Sequence, residues 1–352
     1  MADLDLFSPQ ISQVVKGIEG KTILIYGCNK CGKTYNAVQA PKPLVLAFEQ
    51  GLGALNGIPY FPIRNWSEFR TIIRKLTDPK NFDTLHEKYN TIIVDAIDGI
   101  EKLSARFVCN SLGIDHIRDY NGGFGAWQEW GDEIEAQLRP LAFSGFTVLF
   151  IGHEGSRKFL MEDGKTEYEM VYPKGDKRVV DPILNYVDLT CYVRLGIGKD
   201  DGDQELSTLY LKGNRGFFAG GRFPEIRPVI REWSYKDLER AIVDAIELRE
   251  KKGGFKAITN VEARVAEAQQ PEPEPEVDIS TMPFDALMLR LSKLVKASMQ
   301  KTGGKTEYTE VRKEAVGDET FRCNKATEDQ RPQVEAIYKA LASRGYTPED
   351  AE

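Results

Sequence analysis

Histidine is scarce in this 352-residue chain, which has three, and cysteine is sparse and odd in number, with five. A structural zinc site needs about four Cys or His ligands in close spacing. Cys28 and Cys31 form a close pair, but no second C-x-x-C or Cys/His pair accompanies them. His86, His116 and His153 stand isolated in sequence. Scattered, unpaired cysteines also argue against a disulfide scaffold and suit a reducing cytoplasm. Long apolar runs are missing too. None approaches the roughly 18 residues of a membrane span, and the opening "MADLDLFSPQ" lacks the basic and apolar regions of a signal peptide. Positive charge is not in excess: the formal net charge is −7. The field of the whole molecule therefore repels nucleic acid, and any contact with it must come from a local basic surface or from backbone amides.

What is present is an ordinary globular balance, 41% hydrophobic and 29% charged, over a chain long enough for one large domain or two. Short apolar runs alternate with helical patterns over the first 250 residues, which predicts α/β layering. "KTILIYG" (21–27), "PLVLAFE" (43–49), "TIIVD" (91–95) and "FTVLFIGH" (146–153) read as strands buried on both faces, because they show little alternation. "WSEFRTIIRKL", "AIDGIEKLSARFVCNSL" and "AWQEWGDEIEAQLRPLAF" read as crossover helices, and 186–197 with 204–215 as a hairpin around "GKDDGD". A last core helix, "SYKDLERAIVDAIELREKK", precedes Gly-Gly. Composition then shifts to "QQPEPEPEVD", which is extended and self-repelling. Beyond it, Phe284, Leu287, Met288, Leu291, Leu294 and Val295 share one helical face. The expected organisation is a core over 1–252, a Pro/Glu-rich linker over 253–283 and a small helical segment over 284–352.

Gly27, Gly32, Lys33 and Thr34 satisfy G-x-x-x-x-G-K-[ST], between a predicted strand and a predicted helix. Such a loop closes backbone N–H groups around phosphate oxygens, and the helix adds its positive end. The whole loop, Gly27, Cys28, Asn29, Lys30, Cys31, Gly32, Lys33 and Thr34, is thus a nucleotide site, with ATP and Mg²⁺ as its expected ligands. Lys33 would reach the β/γ-phosphates, and the Thr34 hydroxyl would hold Mg²⁺. The two cysteines occupy variable loop positions. They are either small loop fillers or thiols that oxidise near the phosphates and block binding. Asp95 ends the buried strand "TIIVD", where a Mg²⁺–water ligand of a P-loop enzyme sits. Ala96, not Glu, follows it, which weighs against an AAA+ arrangement of the catalytic base. No N-K-x-D is present to read guanine, and no Arg-rich lid marks a small-molecule kinase.

"GCNKCGKT", "LAFEQGLGAL", "TIIVDAIDGI", "FIGHEGSRK" and "LKGNRG" fall in one order over residues 15–250. In that order the chain resembles the RecA-like ATPases, most closely the phage-encoded RecA-core proteins linked to single-strand annealing and recombination. The resemblance implies a RecA-like α/β fold, with a mainly parallel sheet flanked by helices. It implies that Glu49 polarises the attacking water, with Asp98 or Glu154 the next carboxylates to consider. His153 would occupy the place of a γ-phosphate sensor. Lys212 and Arg215 would reach a neighbouring copy's phosphates in a ring or filament. It also implies two loops facing single-stranded DNA. The first is "GIDHIRDYNGGFGAW" (113–127), with Tyr120, Phe124 and Trp127 able to stack on bases. The second is 154–178, where Arg157, Lys158, Lys165, Lys174, Lys177 and Arg178 are matched by Glu154, Glu162, Asp163, Glu167, Glu169 and Asp176. Composition alone thus shows no basic patch there, and a β-hairpin flap that packs on the domain or on a partner is the other reading.

Two functions lead on the sequence, with a small-molecule kinase a third. One is an ATPase acting on single-stranded DNA in a bacterial host's cytoplasm. The other is a nucleotide-gated loader or assembly factor with slow hydrolysis. The helix from Phe284 is expected to recruit a single-strand-binding protein, another recombination protein or a further copy through its apolar face. No membrane partner is expected.

Overall fold

The computed structural model describes residues 13–196, 207–253, 255–258, 279, 282–302, 306–317, 321–322 and 326–344. The hairpin turn around "GKDDGD" and the Pro-Glu repeats lie outside them. The chain divides into two compact units, one over Gln13–Ala263 and one containing the C-terminal helices.

The larger unit is built on a mixed, mostly parallel sheet. Its strands are β1 (Thr22–Gly27), β2 (Pro43–Ala47), β3 (Tyr60–Pro62), β4 (Thr91–Asp95), β5 (Thr147–Leu160), β6 (Glu167–Pro173), β7 (Leu189–Leu195), β8 (Ser207–Tyr210), β9 (Gly220–Gly221) and β10 (Val229–Arg231). The order across the sheet is β10-β8-β7-β1-β5-β4-β2-β3, with β6 paired to β5 and β9 to β7. The central pairs β7/β1, β1/β5, β5/β4, β4/β2 and β2/β3 are parallel. Except at the exposed edge strand β3, both faces of these strands are buried, so their sequences are continuous apolar runs. Ile23, Ile25, Val45, Ile93, Leu149 and Cys191 line one face, against α7 (Tyr235–Lys252). Leu24, Leu46, Ile92, Val94 and Phe150 line the other, against α2 (Trp66–Leu76), α4 (Asp98–Leu112), α5 (Trp127–Ala142) and α6 (Lys177–Tyr186). Short helices α1 (Lys33–Ala37) and α3 (Phe82–Lys88) complete the unit.

Three local expectations change. The strand "PLVLAFE" ends at Ala47, and Glu49 lies on the bend beyond it. The helix after the glycine loop has only five residues, so backbone amides rather than a long dipole must hold phosphate. The strand expected to stop at His153 runs on to Leu160 and pairs antiparallel with β6, so 154–173 is a two-stranded arm. Alternation drives it: Lys158, Leu160, Glu167 and Glu169 are exposed, while their neighbours pack between the two faces.

The second unit contains α8 (Phe284–Thr302), α9 (Thr306–Val316) and α10 (Arg331–Ser343). Leu287, Leu291 and Leu294 of α8 are buried with Val311, Val334, Ile337 and Leu341 in a core that shares no residue with the sheet. This corrects the expectation that the apolar face of α8 is free for a partner: α9 and α10 already cover it. No helix among the described residues is long and apolar enough to cross a membrane.

Candidate nucleotide site

Strand order assembles the site. β5 lies between β1 and β4, with Gly27 in register with His153 and Asp95 in register with Ile151. Ala47, the last residue of β2, is in register with Asp95. The carboxyl ends of β1, β5, β4 and β2 therefore place the glycine loop, His153, Asp95 and the Glu49 bend along one edge, where open α/β sheets bind ligands.

Two glycines in the loop are dictated by geometry. A β-carbon on Gly27 would fall 2.1 Å from the Val193 carbonyl oxygen. Gly32 has φ +81, in the left-handed region that favours glycine. Lys33 follows and is buried. Its Nζ donates to the carbonyls of Gly27 (3.0 Å) and Cys28 (2.5 Å). The cation is thus held inside the loop that would receive phosphate, by the weak acceptors that loop can offer. Cys31 is buried, donates to the Cys28 carbonyl at 2.8 Å and lies 3.7 Å from Lys33 Nζ. Burial pushes its thiol up to about 12, so the protonated, poorly nucleophilic form persists at neutral pH. That favours the reading of a loop filler.

Thr34 Oγ1 donates to Asp95 Oδ2 at 2.8 Å. Asp95 is 8% exposed, and burial raises its carboxyl above the usual range, while the Thr34 hydrogen bond, Lys33 and His153 pull it back. A hydroxyl and a carboxylate are hard oxygen donors, so the pair fits Mg²⁺. When bound there, the ion would neutralise charge developing on the β- and γ-phosphates.

Glu49, whose side chain is 48% exposed, faces His153 Nδ1 at 4.0 Å. His153 Nδ1 in turn lies 2.7 Å from Asp98 Oδ2, and the same oxygen accepts from the His153 backbone N–H at 3.3 Å. Glu49, Asp98 and His153 form a cluster whose ligating atoms lie within 4.8 Å of one another. Asp98 entered the sequence reading only as a substitute base. Its place three residues after Asp95, in the first turn of α4, was the signal that it belongs to the site. Glu154 accepts from Tyr192 OH at 2.9 Å.

Lys212 and Arg215 stand apart. β8 runs antiparallel to β7 and leads away from the level of Gly27, Val193 and Leu209. Lys212 Nζ donates to the Pro224 carbonyl at 2.9 Å, and Arg215 lies exposed in the turn before Phe217. Among the described residues, the hydrogen bonds and ion pairs of the loop, Asp95, Glu49 and His153 involve neither.

The two loops assigned to DNA by resemblance do meet. Arg178, in the first turn of α6 beyond the β5–β6 arm, lies 4.6 Å over the ring of Trp127 at the start of α5 and donates from Nε to the Trp127 carbonyl at 3.1 Å. Phe124 is 83% exposed, Trp127 39%.

A phosphate-binding loop, a paired Thr/Asp and a strand-edge carboxylate on a parallel sheet define a P-loop nucleotide-binding protein. The profile of the AAA domain family matches residues 19–223, and the chain belongs to that family of P-loop ATPases. This corrects the expectation from Ala96, which disfavoured an AAA-type protein; Ala96 does follow Asp95, and the further carboxylates at this edge are Glu49 and Asp98. The SPbeta prophage-derived uncharacterized protein YorG of Bacillus subtilis (strain 168) is 36% identical over 331 residues, covering 94% of each chain. A crystal structure of the RadB recombinase overlaps with a TM-score of 0.31 at 13% identity, over 57% of this chain and 82% of that one.

Proposed function

We propose that the protein hydrolyses ATP with Mg²⁺ and couples turnover to single-stranded DNA in phage recombination or annealing. The observation that carries the proposal is the convergence of Lys33, the Thr34–Asp95 pair and the Glu49–His153 contact on one strand edge. Lys33 is there to exchange loop carbonyls for phosphate oxygens. Glu49 takes the proton of a water whose oxygen bonds to the γ-phosphorus. The bond to the β–γ bridging oxygen breaks, and ADP leaves with that electron pair. Support for DNA comes from the exposed Phe124 ring on loop 113–127 as a stacking surface, close in sequence to Trp127, over which Arg178 at the start of α6 places its charge. The protein works as a ring or filament, in which Lys212 or Arg215 of one copy serves the neighbour's phosphates. Turnover measured with and without single-stranded DNA, over a range of protein concentration, tests this reading. Stimulation that rises cooperatively supports it.

The second reading is a nucleotide-gated partner switch. Its specific support is Leu160 and Met161, which are exposed at the end of the charge-balanced arm, as a protein-docking tip would be. Turnover indifferent to DNA, with no salt-sensitive retention of an oligonucleotide, favours it.

A further inference from the structure

We infer that Asp98 is a positioning residue for ATP hydrolysis: it holds the His153 ring through Nδ1 and so fixes the edge of the ring that Glu49 meets. The inference rests on the hydrolase reading above and goes beyond it by assigning a group that touches neither the loop nor the metal pair.

Three observations carry it. Asp98 Oδ2 accepts twice from His153, from the ring at 2.7 Å and from the backbone N–H at 3.3 Å, so ring and main chain are held by one oxygen. The contact joins the first turn of α4, three residues past Asp95, to the point on β5 in register with Gly27. It therefore spans the edge between the Thr34–Asp95 pair and the phosphate loop. Finally, Asp98 Oδ1 is buried with no hydrogen-bond partner among the described residues. A buried carboxylate oxygen without a donor costs stability, so a purely structural role explains this residue poorly.

The chemistry follows from imidazole. Its two nitrogens point away from each other, and the partner of one decides the state of the other. With Nδ1–H donating to Asp98, the ring cannot turn, and Nε2 has no partner among the described residues. Glu49, 4.0 Å from Nδ1, then meets a ring of fixed orientation. A ring free to rotate would present a different edge to Glu49 from moment to moment, which loosens the alignment of the water that Glu49 activates.

The test uses the full chain labelled with ¹⁵N, in which only three histidines contribute ring signals. His153→Gln identifies the His153 signal. The wild type is expected to show it protonated at Nδ1, and Asp98→Ala is expected to abolish that state. ATP turnover of Asp98→Ala should fall about 10- to 100-fold, as small misplacements at reacting centres do, with unchanged binding of ATP at equilibrium. Asp98→Asn, whose amide oxygen still accepts from Nδ1, should recover much of the loss. The double variant Asp98→Ala/His153→Ala should be no slower than His153→Ala alone. An unchanged ring signal in Asp98→Ala, or losses that multiply in the double variant, overturns the inference. A wild-type chain that binds ATP but never hydrolyses it overturns the hydrolase reading instead, and the ring signal still decides whether Asp98 fixes His153.

Discussion

The Thr34 hydroxyl donates to Asp95 Oδ2 at 2.8 Å, which joins the residue after the phosphate-loop lysine to the end of β4. Two oxygens of the kind Mg²⁺ prefers are thus preset at hydrogen-bond distance. Thr34→Ala or Asp95→Asn should raise the Mg²⁺ concentration needed for half-maximal turnover by about 10- to 100-fold, the usual effect of losing a group that places a metal. A Mg²⁺ titration of turnover at saturating ATP measures this. An unchanged midpoint in both variants would exclude the pair from metal binding.

Glu49→Gln should bind ATP as the wild type does and turn over about 10²- to 10⁴-fold more slowly, the typical contribution of a positioned base. Single-turnover kinetics separate the two effects. Normal turnover in Glu49→Gln would move the role of base to another carboxylate of the edge.

Burial raises the Asp95 carboxyl, and this fixes the sign of a pH effect. The unfolded chain releases this proton near pH 3.9, whereas the nucleotide-free folded chain keeps it to higher pH. Between those values the native state binds more protons, so stability falls as pH rises. Asp95→Asn lacks that loss. Its unfolding free energy relative to wild type should grow from about pH 4 upward and level off above the folded value. Excess Mg²⁺ should reduce the difference, since it favours the ionised form. Denaturant titrations across pH, with and without Mg²⁺, measure it. A difference independent of pH would mean that Asp95 is not destabilised by its burial.

Much of this site was legible because its signals are local. Apolar runs bounded by glycine gave β1, β2, β4 and the first half of β5, and fixed spacing gave Lys33 and Thr34. What was not legible depends on partners distant in sequence. The arm was legible only as an alternative, a β-hairpin flap, because "RKFL" and "TEYEMVY" only become strands against each other. α6 hid because Pro182 reads as a breaker, although it stands six residues into a helix capped by Asp176. Asp98 was legible only as a substitute base, because its partner His153 is distant in sequence and reaches it through β5. The apolar stripe of α8 was read correctly as amphipathic, but a stripe does not say what covers it, and here the helices that follow it do.

The two separate cores predict tolerance to truncation. A chain ending at Ala263 keeps every buried residue of both sheet faces and loses only the core around Leu287, Leu294 and Ile337. It should fold, and its ATP turnover should stay within about twofold of the full chain, since regions that share no core residue contribute additively. Circular dichroism and turnover of the shortened chain check this. Loss of folding would tie the C-terminal helices to the ATPase core.

The contact between Arg178 and Trp127 gives the DNA reading its sharpest test. Phe124 is almost fully exposed on loop 113–127, while Trp127 lies partly under Arg178, whose guanidinium also approaches Trp130 at 5.6 Å. If bases stack on this loop, Phe124→Ala should cost about 1–3 kcal/mol of single-strand affinity and leave the fold untouched. Trp127→Ala should cost at least as much, because it also frees the Arg178 guanidinium that rests on the ring. Arg178→Ala separates these effects: it keeps both rings but removes the bridge, so stimulated turnover should fall more than affinity does. Binding should weaken steeply with salt, because each neutralised phosphate releases counterions. Fluorescence anisotropy of a labelled oligonucleotide at several salt concentrations, run beside DNA-stimulated turnover, measures all three variants. Wild-type affinity in Phe124→Ala and Trp127→Ala would remove the loop from the DNA path. The aromatic residues would then be surface around the arm, and the exposed Leu160 and Met161 would become the place to seek a protein partner.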